Sequence, residues 1–207
     1  MKKIIVVKLG SSILMTKREK LDEFRIAHIA DQALSLQESG FGVILVVSGA
    51  VACGHKFIDF SSDQRCLRQA AAGLGQAVLT STFVNIFSQK KMHIAQILLT
   101  KNNLDSVSER QKTKELLEFY IQLGIIPVIN ENDVMDLNSF GGNDLLAAEI
   151  GKLIDAEKVF ILSTMEGSVH GIGGAATKHQ AIKILAKENI ETKIVNGKEK
   201  DVLLKLL

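Results

Sequence analysis

Six short runs of almost wholly apolar residues, separated by segments with helical spacing, constrain this chain most. The runs lie at residues 4–9, 43–47, 94–99, 126–129, 158–162 and 192–195. Strands that are apolar on both faces are typical of a parallel sheet covered by helices on both sides. The sequence therefore predicts the α/β class, with a three-layer αβα sandwich around a mainly parallel central sheet.

The segments between these runs carry apolar residues at helical spacing. They predict helices at residues 21–38, 65–89, 108–123, 144–153, 177–187 and 198–206. We find no internal repeat and no linker rich in proline or serine, so we expect a single domain over residues 1–207. The sole proline, Pro127, lies in a strand signal. It is expected at the start of the strand or where its missing N–H is harmless.

Composition narrows the possible partners and compartment. The chain has 207 residues, 46% hydrophobic and 23% charged, with a net charge of +2 and interspersed signs. No basic stripe indicates nucleic acid. Only two cysteines occur, Cys53 and Cys66, which favours a reducing, cytoplasmic location. Lys8 interrupts the apolar N-terminal run, and the longest apolar stretch, 41–53, is shorter than the ~18 residues of a membrane span. We therefore expect no membrane partner.

The residues that follow the predicted strands carry the chemistry. In an open parallel sheet, ligands bind at the carboxyl ends of the strands. Small residues, amides, lysines and carboxylates follow those ends, in segments 8–12, 48–50, 130–133, 140–144, 163–167 and 171–178. The sequence therefore predicts a polar site at one edge of the sheet.

Glycine-rich turns and two lysines at this edge favour an anionic ligand. Glycines let backbone N–H groups approach a phosphate, although any one of them could simply form a tight turn. Lys8 ends a buried strand, and Lys178 begins a helix, where a cation opposes the helix dipole. Either lysine could be solvated, but a pair could neutralise a transferring phosphoryl group. The chain contains no Walker A sequence and no Gly-x-Gly-x-x-Gly after a strand, so phosphate must be held differently.

Two polar strings remain ambiguous on the residues alone. Residues 130–133 combine two carboxylates and two amides, which suits a polar substrate but also an Asx-rich turn. Asn143 and Asp144 could equally cap a helix. The histidines and cysteines show no metal-ligand spacing, so we expect no protein-bound metal site, and a divalent ion would arrive with a nucleotide.

Five strings, in this order, resemble the amino acid kinase family over nearly the whole chain. They are residues 7–12 (VKLGSS), 47–51 (VSGAV), 69–76 (QAAAGLGQ), 95–100 (AQILLT) and 129–133 (INEND). The resemblance is strongest to members that phosphorylate the side-chain carboxylate of glutamate in the first step of proline synthesis. It implies ATP with Mg²⁺ as the phosphoryl donor, a cytoplasmic homo-oligomer, and glutamyl phosphate reductase as a candidate partner.

The same resemblance implies roles for particular residues. Lys8 and Lys178 would contact the transferring phosphoryl group, and Asp144 would orient the two lysines. The residues implied to hold glutamate are Ser48, Asn130, Asp133 and Asn143. Those implied to bind the nucleotide, in addition to the two lysines, are Gly10, Ser163, Thr164, Gly171, Gly173, Gly174 and Thr177.

The chain departs from the family pattern at several points. Gly142 replaces an expected aspartate, Ser163 and Thr164 replace a Thr-Asp pair, and the segment between Gly167 and Gly171 is much shorter than in family members. We also expect no RNA-modification-type domain after the last predicted helix. Gly142→Asp should lower the KM for glutamate about tenfold if position 142 does not require positive φ.

These departures leave two alternatives to a glutamate kinase. The first is an enzyme of the same fold that phosphorylates another small carboxylate or a phosphate, motivated by Gly142. The second is a catalytically weak paralogue that binds glutamate or nucleotide, or pairs with a full-length kinase, motivated by the shortened segment.

Overall fold

The six apolar runs form one sheet in the computed structural model, which describes residues 2–17, 20–59, 64–164 and 174–207. The strands are β1 Ile4–Leu9, β2 Gly42–Val47, β3 Ile94–Leu99, β4 Ile126–Glu131, β5 Lys158–Ser163 and β6 Glu191–Asn196. Their order is β3-β4-β2-β1-β5-β6, and every neighbouring pair is parallel. The predicted parallel sheet is confirmed.

Helices connect the strands. They are α1 Ser11–Leu14, α2 Glu23–Glu38, α3 Ala50–His55, α4 Arg65–Gln89, α5 Asn102–Asp105, α6 Val107–Gln122, α7 Asn143–Leu153 and α8 Ala175–Lys187. Asp22 caps α2 by accepting a hydrogen bond from the Arg25 N–H at 2.9 Å. The short helices α1, α3 and α5 were not predicted, because one turn or so is too short to show a helical period.

Two apolar cores lie on opposite faces of the sheet. Ile5, Val7 and Leu9 of β1 pack with α2 and α4 on one face. Ile4 and Val6 pack with α6, α7 and α8 on the other. The αβα sandwich is thus confirmed. Because side chains alternate along a strand, Lys8 of β1 shares the second face, beneath the N-termini of α7 and α8.

Pro127 lies where its missing N–H costs little. The preceding residue, Ile126, donates its N–H to the His93 carbonyl on the β3 side at 2.9 Å. Alternation therefore directs the nitrogen of Pro127 toward β2, whose pairing with β4 begins only at Val128. The prediction for Pro127 is confirmed.

Helices α3 and α4 cross in backbone contact just beyond β2. A Cβ added to Gly54 would lie 1.8 Å from the Ala71 carbonyl oxygen, and one added to Gly75 would lie 1.8 Å from that of Ala50. Only glycine permits this approach. The packing fixes α3, and with it the turn at Ser48 and Gly49 that leads into α3.

Among the described helices, α4 is the one long and apolar enough to cross a membrane by length and composition. Its residues Leu79, Phe83 and Phe87 are buried in the core of the first face. Core helices of soluble proteins meet the same criterion, so α4 is accounted for by the sandwich itself.

The predicted helix at residues 198–206 is wrong. This segment forms turns and a single 3₁₀ turn at Leu204–Leu206. Asp201 has φ of +55° and lies 3.1 Å from Nε2 of His28 on α2. The Leu203 N–H donates to the buried Gln32 side chain at 2.9 Å. Tertiary hydrogen bonds to α2 thus replace the helical ladder.

Candidate active site

Two lysines and one carboxylate converge at the carboxyl edge of the sheet. Lys8 comes from β1, Asp144 from the first turn of α7, and Lys178 from the first turns of α8. Lys8 Nζ lies 2.6 Å from Asp144 Oδ1, and Lys178 Nζ lies 3.3 Å from Oδ2. In the sequence, Lys8 and Asp144 are 136 positions apart, and Asp144 and Lys178 are 34 positions apart.

This cluster is shielded from water. The side chains of Lys8, Asp144 and Lys178 are 7%, 1% and 15% exposed. The Thr177 hydroxyl donates to Asp144 Oδ2 at 3.0 Å. One carboxylate is thus shared by two ammonium groups and a hydroxyl, which fixes its orientation.

The electrostatics leave the cluster positive. Burial lowers the pKa of Lys8, and the charge and hydrogen bond of Asp144 oppose this effect. Burial alone would raise the pKa of Asp144, but Lys8, Lys178 and Thr177 together lower it below its ordinary value. Asp144 is therefore ionised at neutral pH. Two cations around one anion favour the binding of an anionic group.

The residues predicted to hold a substrate lie at strand ends and helix starts. Ser48 follows β2, and its N–H donates to the Leu9 carbonyl at 3.2 Å. Burial raises the pKa of Asp133, whose carboxylate accepts the Asn138 N–H at 2.8 Å. Asn143 begins α7, and its buried Oδ1 has no hydrogen-bond partner among the described residues. An unpaired buried acceptor is suited to a donor group of a ligand.

Asn130 is engaged within the protein. It lies inside β4 rather than after it, and it is 1% exposed. Its Nδ2 donates to Gln76 Oε1 at 2.8 Å, and its Oδ1 accepts the Glu131 N–H at 2.9 Å. Asn130 thus ties the end of β4 to α4, and the prediction that it contacts substrate stays a prediction.

The residues predicted to bind nucleotide are only partly open to a ligand. The Gly10 N–H donates to the Leu162 carbonyl at 3.2 Å, so this N–H is already used. A Cβ added to Gly10 would lie 3.3 Å from the Leu162 carbonyl oxygen, which is a tight contact, and 3.6 Å from Lys8 Nζ, which is an ordinary one. The Ser163 hydroxyl donates to the Thr164 carbonyl at 3.2 Å.

The remaining nucleotide-side predictions fall at the start of α8. Gly174 precedes the helix, and its carbonyl lies 3.0 Å from the Thr177 hydroxyl. Gly171 and Gly173 lie outside the described residues, as does the shortened segment from Gly167 to Gly171. Within the described part of the chain, no group of three or more His, Cys, Asp or Glu residues could hold a metal ion.

Gly142 has a backbone that L-residues avoid. Its φ is +120° and its ψ is 154°, and the preceding Gly141 has φ of +80°. This region is essentially restricted to glycine. The condition attached to the Gly142→Asp expectation is therefore not met, and that substitution would strain the turn before α7.

Sequence reasoning missed two contacts in this region. Thr177 was predicted only as a nucleotide ligand, yet its hydroxyl binds Asp144. Glu131 was noted in a polar string without a role, yet it is buried and bonded to the turn before α7. The carboxylate of Glu131 at the end of an apolar strand was a signal available in the sequence. Its hydrogen-bond partner, the Phe140 N–H, lies nine residues further along the chain, so the sequence did not identify it.

The fold and the site together define a class of protein. Its members are αβα sandwiches with a buried cationic cluster at the carboxyl edge of a parallel sheet and no P-loop. Residues 3–168 match the model of the amino acid kinase family. The chain belongs to the amino acid kinase family.

Solved structures share this fold. An isopentenyl phosphate kinase has a TM-score of 0.68 at 16% identity, with 98% of this chain and 95% of that one covered. A UMP kinase from Bacillus anthracis has a TM-score of 0.66 at 14% identity, with 99% of this chain and 91% of that one covered. At these identities the likeness concerns the fold alone.

Curated relatives are named glutamate 5-kinase. The one from Nitrosospira multiformis is 33% identical, over 98% of this chain and 64% of the relative. The one from Clostridium tetani is 33% identical, over 97% of this chain and 89% of the relative. Glutamate 5-kinase 2 from Bacillus subtilis is 35% identical over 82% of this chain, and the aligned region covers 47% of that relative.

The relatives are longer than this chain within the aligned region as well. The Nitrosospira alignment extends over 239 positions against the 207 residues of the chain, so at least 32 positions have no counterpart here. The family match ends at residue 168, beside the segment predicted to be shortened.

Proposed function

We propose that this protein transfers the γ-phosphoryl group of ATP to the γ-carboxylate of L-glutamate, the first step of proline biosynthesis. The observation that carries the proposal is the buried Lys8–Asp144–Lys178 cluster at the carboxyl edge of the sheet. The names and alignments of the curated relatives support glutamate as the acceptor.

The reaction needs charge neutralisation rather than a general base. An oxygen of the γ-carboxylate would bond to the γ-phosphorus of ATP while the bond from that phosphorus to the β,γ-bridging oxygen breaks, giving glutamyl 5-phosphate and ADP. The acceptor carboxylate is already ionised at pH 7, so no proton has to be removed. Lys8 and Lys178 would stabilise the negative charge of the transferring group.

Asp144 would act as an organiser of the two lysines. Its two oxygens contact different ammonium groups, at 2.6 and 3.3 Å, so a single carboxylate sets the distance between the lysines. The lowered pKa of Asp144 keeps it ionised throughout the neutral range. Asp144→Asn should accordingly lower kcat without removing a main ionisation from the pH–rate profile.

Glutamate would be held by polar groups around the cluster. The unpaired Oδ1 of Asn143 suits the α-ammonium group, and Asp133 is the carboxylate that we assign to the same charge. Ser48 stands at the end of β2, where the turn at Gly49 opens toward the edge. With glycine at position 142 in place of the expected aspartate, we expect a high KM for glutamate.

The remaining assignments follow from the same proposal. ATP is a substrate, and Mg²⁺ carried by it would offset phosphate charge next to Lys8 and Lys178. Gly10, Ser163, Thr164, Gly174 and Thr177 would line the nucleotide side. We also propose a cytoplasmic location and a homo-oligomeric state. The acyl phosphate product would be consumed by glutamyl phosphate reductase.

Trapping with hydroxylamine tests this function directly, because an acyl phosphate yields a hydroxamate and simple ATP hydrolysis does not. We expect hydroxamate with glutamate, ATP and Mg²⁺, and little with aspartate or N-acetylglutamate. Loss of one preorganised charge contact removes about 10²–10³ in turnover, so Lys8→Ala should lower kcat by that factor. Lys3→Ala, at an exposed ion pair, is the control.

The same assay separates the alternatives. Hydroxamate with another carboxylate, or ADP release with a phosphate acceptor, would assign the enzyme a different substrate, in keeping with the glycine at position 142. Tight binding of an ATP analogue in calorimetry with no turnover on any acceptor would favour a ligand-binding paralogue. A wild-type kcat in Lys8→Ala, with only KM changed, would contradict the assigned role of Lys8.

A further inference from the structure

Glu131 is a buried carboxylate that the proposed reaction does not use. It ends β4 and is 4% exposed. Its Oε2 accepts the Phe140 N–H at 3.1 Å, and the nearby Gly142 N–H lowers the pKa of the same carboxylate. A side chain at the end of β4 thus bonds the backbone of the 140–142 turn across the intervening loop.

The 140–142 turn determines where α7 begins. Gly141 and Gly142 both have positive φ, and Gly142 occupies the N-cap position, where it offers no side chain to cap the helix. The next two residues are Asn143 and Asp144, which carry the unpaired amide oxygen and the carboxylate of the lysine cluster. Two consecutive glycines give the turn a wide choice of backbone conformations. A contact from outside the turn can therefore restrict it to one of them.

We propose that Glu131 is a positioning residue that holds the 140–142 turn, and through it the orientation of Asn143 and Asp144, in the catalytically competent arrangement. The kinetic part of this inference rests on the proposed function. The Glu131 carboxylate bonds the backbone of Phe140, so its effect on Asn143 and Asp144 passes through the backbone of the turn.

The protonation state of Glu131 makes this anchor dependent on pH. Burial raises its pKa to about 7, and repulsion from Asp133 and Asp136 adds to this, while the N–H groups of Phe140 and Gly142 oppose it. Arg68 of α4 acts on the neighbouring Asp133. An ionised carboxylate accepts the Phe140 N–H strongly, whereas a protonated one is a weaker acceptor. The anchor should therefore weaken as pH falls below about 7.

Amide hydrogen exchange tests the anchor without reference to any substrate. Glu131→Gln removes the negative charge and replaces one acceptor oxygen with an NH₂ group, so the charge-assisted hydrogen bond from the Phe140 N–H is lost. At pH 8 we expect the protection factor of the Phe140 amide to fall by about tenfold, the difference between a charge-assisted and a neutral hydrogen bond. Asp136→Asn is the matched control, because it removes a charge from the same loop but leaves the hydrogen bond between Glu131 and Phe140, and we expect unchanged protection.

Kinetics then show whether the anchor serves the reaction. Glu131→Gln should lower kcat and raise the KM for glutamate, and the acidic limb near pH 7 of the wild-type kcat profile should disappear. Asp136→Asn should keep that limb, moved to slightly lower pH because one repulsive charge is gone. A residue that only contributed to stability would lower the melting temperature but leave the kcat profile unchanged.

Two results would overturn the inference. One is unchanged protection of the Phe140 amide in Glu131→Gln, whichever substrate the wild-type enzyme phosphorylates. The other is faster exchange combined with a wild-type kcat and an unaltered pH profile. Failure of the proposed function would appear separately, as wild-type protein that forms no hydroxamate with glutamate.

Discussion

The Lys8–Asp144 pair should be coupled far more strongly than an exposed ion pair of the same length. Its atoms lie 2.6 Å apart with side chains 7% and 1% exposed, whereas Lys3 and Glu157 lie 2.7 Å apart with side chains 66% and 44% exposed. Distance is therefore matched between the two pairs, and burial is the variable.

Burial determines the magnitude expected for each pair. Removing one partner of a buried pair costs about 3–5 kcal/mol, because the other charge is left uncompensated. Exposed pairs are typically worth about 0.2–1 kcal/mol. Lys8→Met should cost less than Asp144→Asn, since Asp144 keeps Lys178 at 3.3 Å, whereas Asp144→Asn leaves two cations without their anion.

A double-mutant cycle in urea measures this coupling. The variants are Lys8→Met, Asp144→Asn and their combination, with Lys3→Met, Glu157→Gln and their combination as the matched control. If the two substitutions acted independently, their losses in the free energy of unfolding would add. We expect the double variant Lys8→Met/Asp144→Asn to be more stable than that sum predicts by about 2 kcal/mol or more, because it contains neither the Lys8 ammonium without Asp144 nor the Asp144 carboxylate without Lys8. The control cycle should be additive within about 1 kcal/mol.

The pH dependence gives an independent check. In Asp144→Asn the pKa of the buried Lys8 falls further, so the folded state releases its proton before the unfolded state does as pH rises. The unfolded state then binds more protons, and stability rises with pH. The destabilisation should accordingly shrink from pH 7 to pH 9. Equal coupling in the two cycles, or a penalty that grows with pH, would refute the reasoning.

Three further outcomes are expected. Lys178→Ala should lower kcat by about 10²–10³ with the fold intact by circular dichroism, and an unchanged kcat would contradict its role. Gly142→Asp should leave the KM for glutamate no lower and reduce the free energy of unfolding by about 1–3 kcal/mol, because φ of +120° is strained for aspartate; a tenfold lower KM would contradict this. Cys66 is exposed, whereas burial raises the pKa of Cys53 to about 11, so a thiol reagent at pH 8 should modify Cys66 quickly and Cys53 only after denaturation. Fast modification of two thiols in the native protein would contradict that order.

Acid should destabilise the protein through the same cluster. The pKa of Asp144 lies below its ordinary value of 3.8, so its contribution to stability is present above that pH and is lost as pH falls through the folded-state pKa. Asp144→Asn should therefore flatten the acid limb of the stability curve, which urea titrations between pH 5 and pH 2 would measure.

The fold was predictable because its determinants are local in sequence. Fully apolar strands and helical spacing between them require a parallel sheet covered on both faces, and all six strands were found within a few residues of their predicted bounds. The C-terminal segment was predicted wrongly, because its apolar residues bury against α2 through turns held by Gln32 and His28, which no local pattern reveals.

The family resemblance implied that Asp144 orients Lys8 and Lys178, but the individual contacts of this cluster were not predictable. Strand ends of a parallel sheet meet at one edge, so Lys8, Asp144 and Lys178 could be assigned to a common region from their positions after strands and before helices. Which oxygen of Asp144 contacts which lysine, and the hydroxyl of Thr177 on the same carboxylate, depend on how α7 and α8 pack against β1.

Sequence alone thus determined the class of fold, the edge that carries the site and the charged residues placed there, because each follows from periodicity and chain order. Tertiary structure decided that Asn130 is bonded within the protein, that position 142 requires glycine, and that Glu131 anchors the turn before α7. These properties depend on backbone dihedral angles and on partners between nine and 54 residues away, and hydrogen bonds over such separations form only once the sandwich has closed.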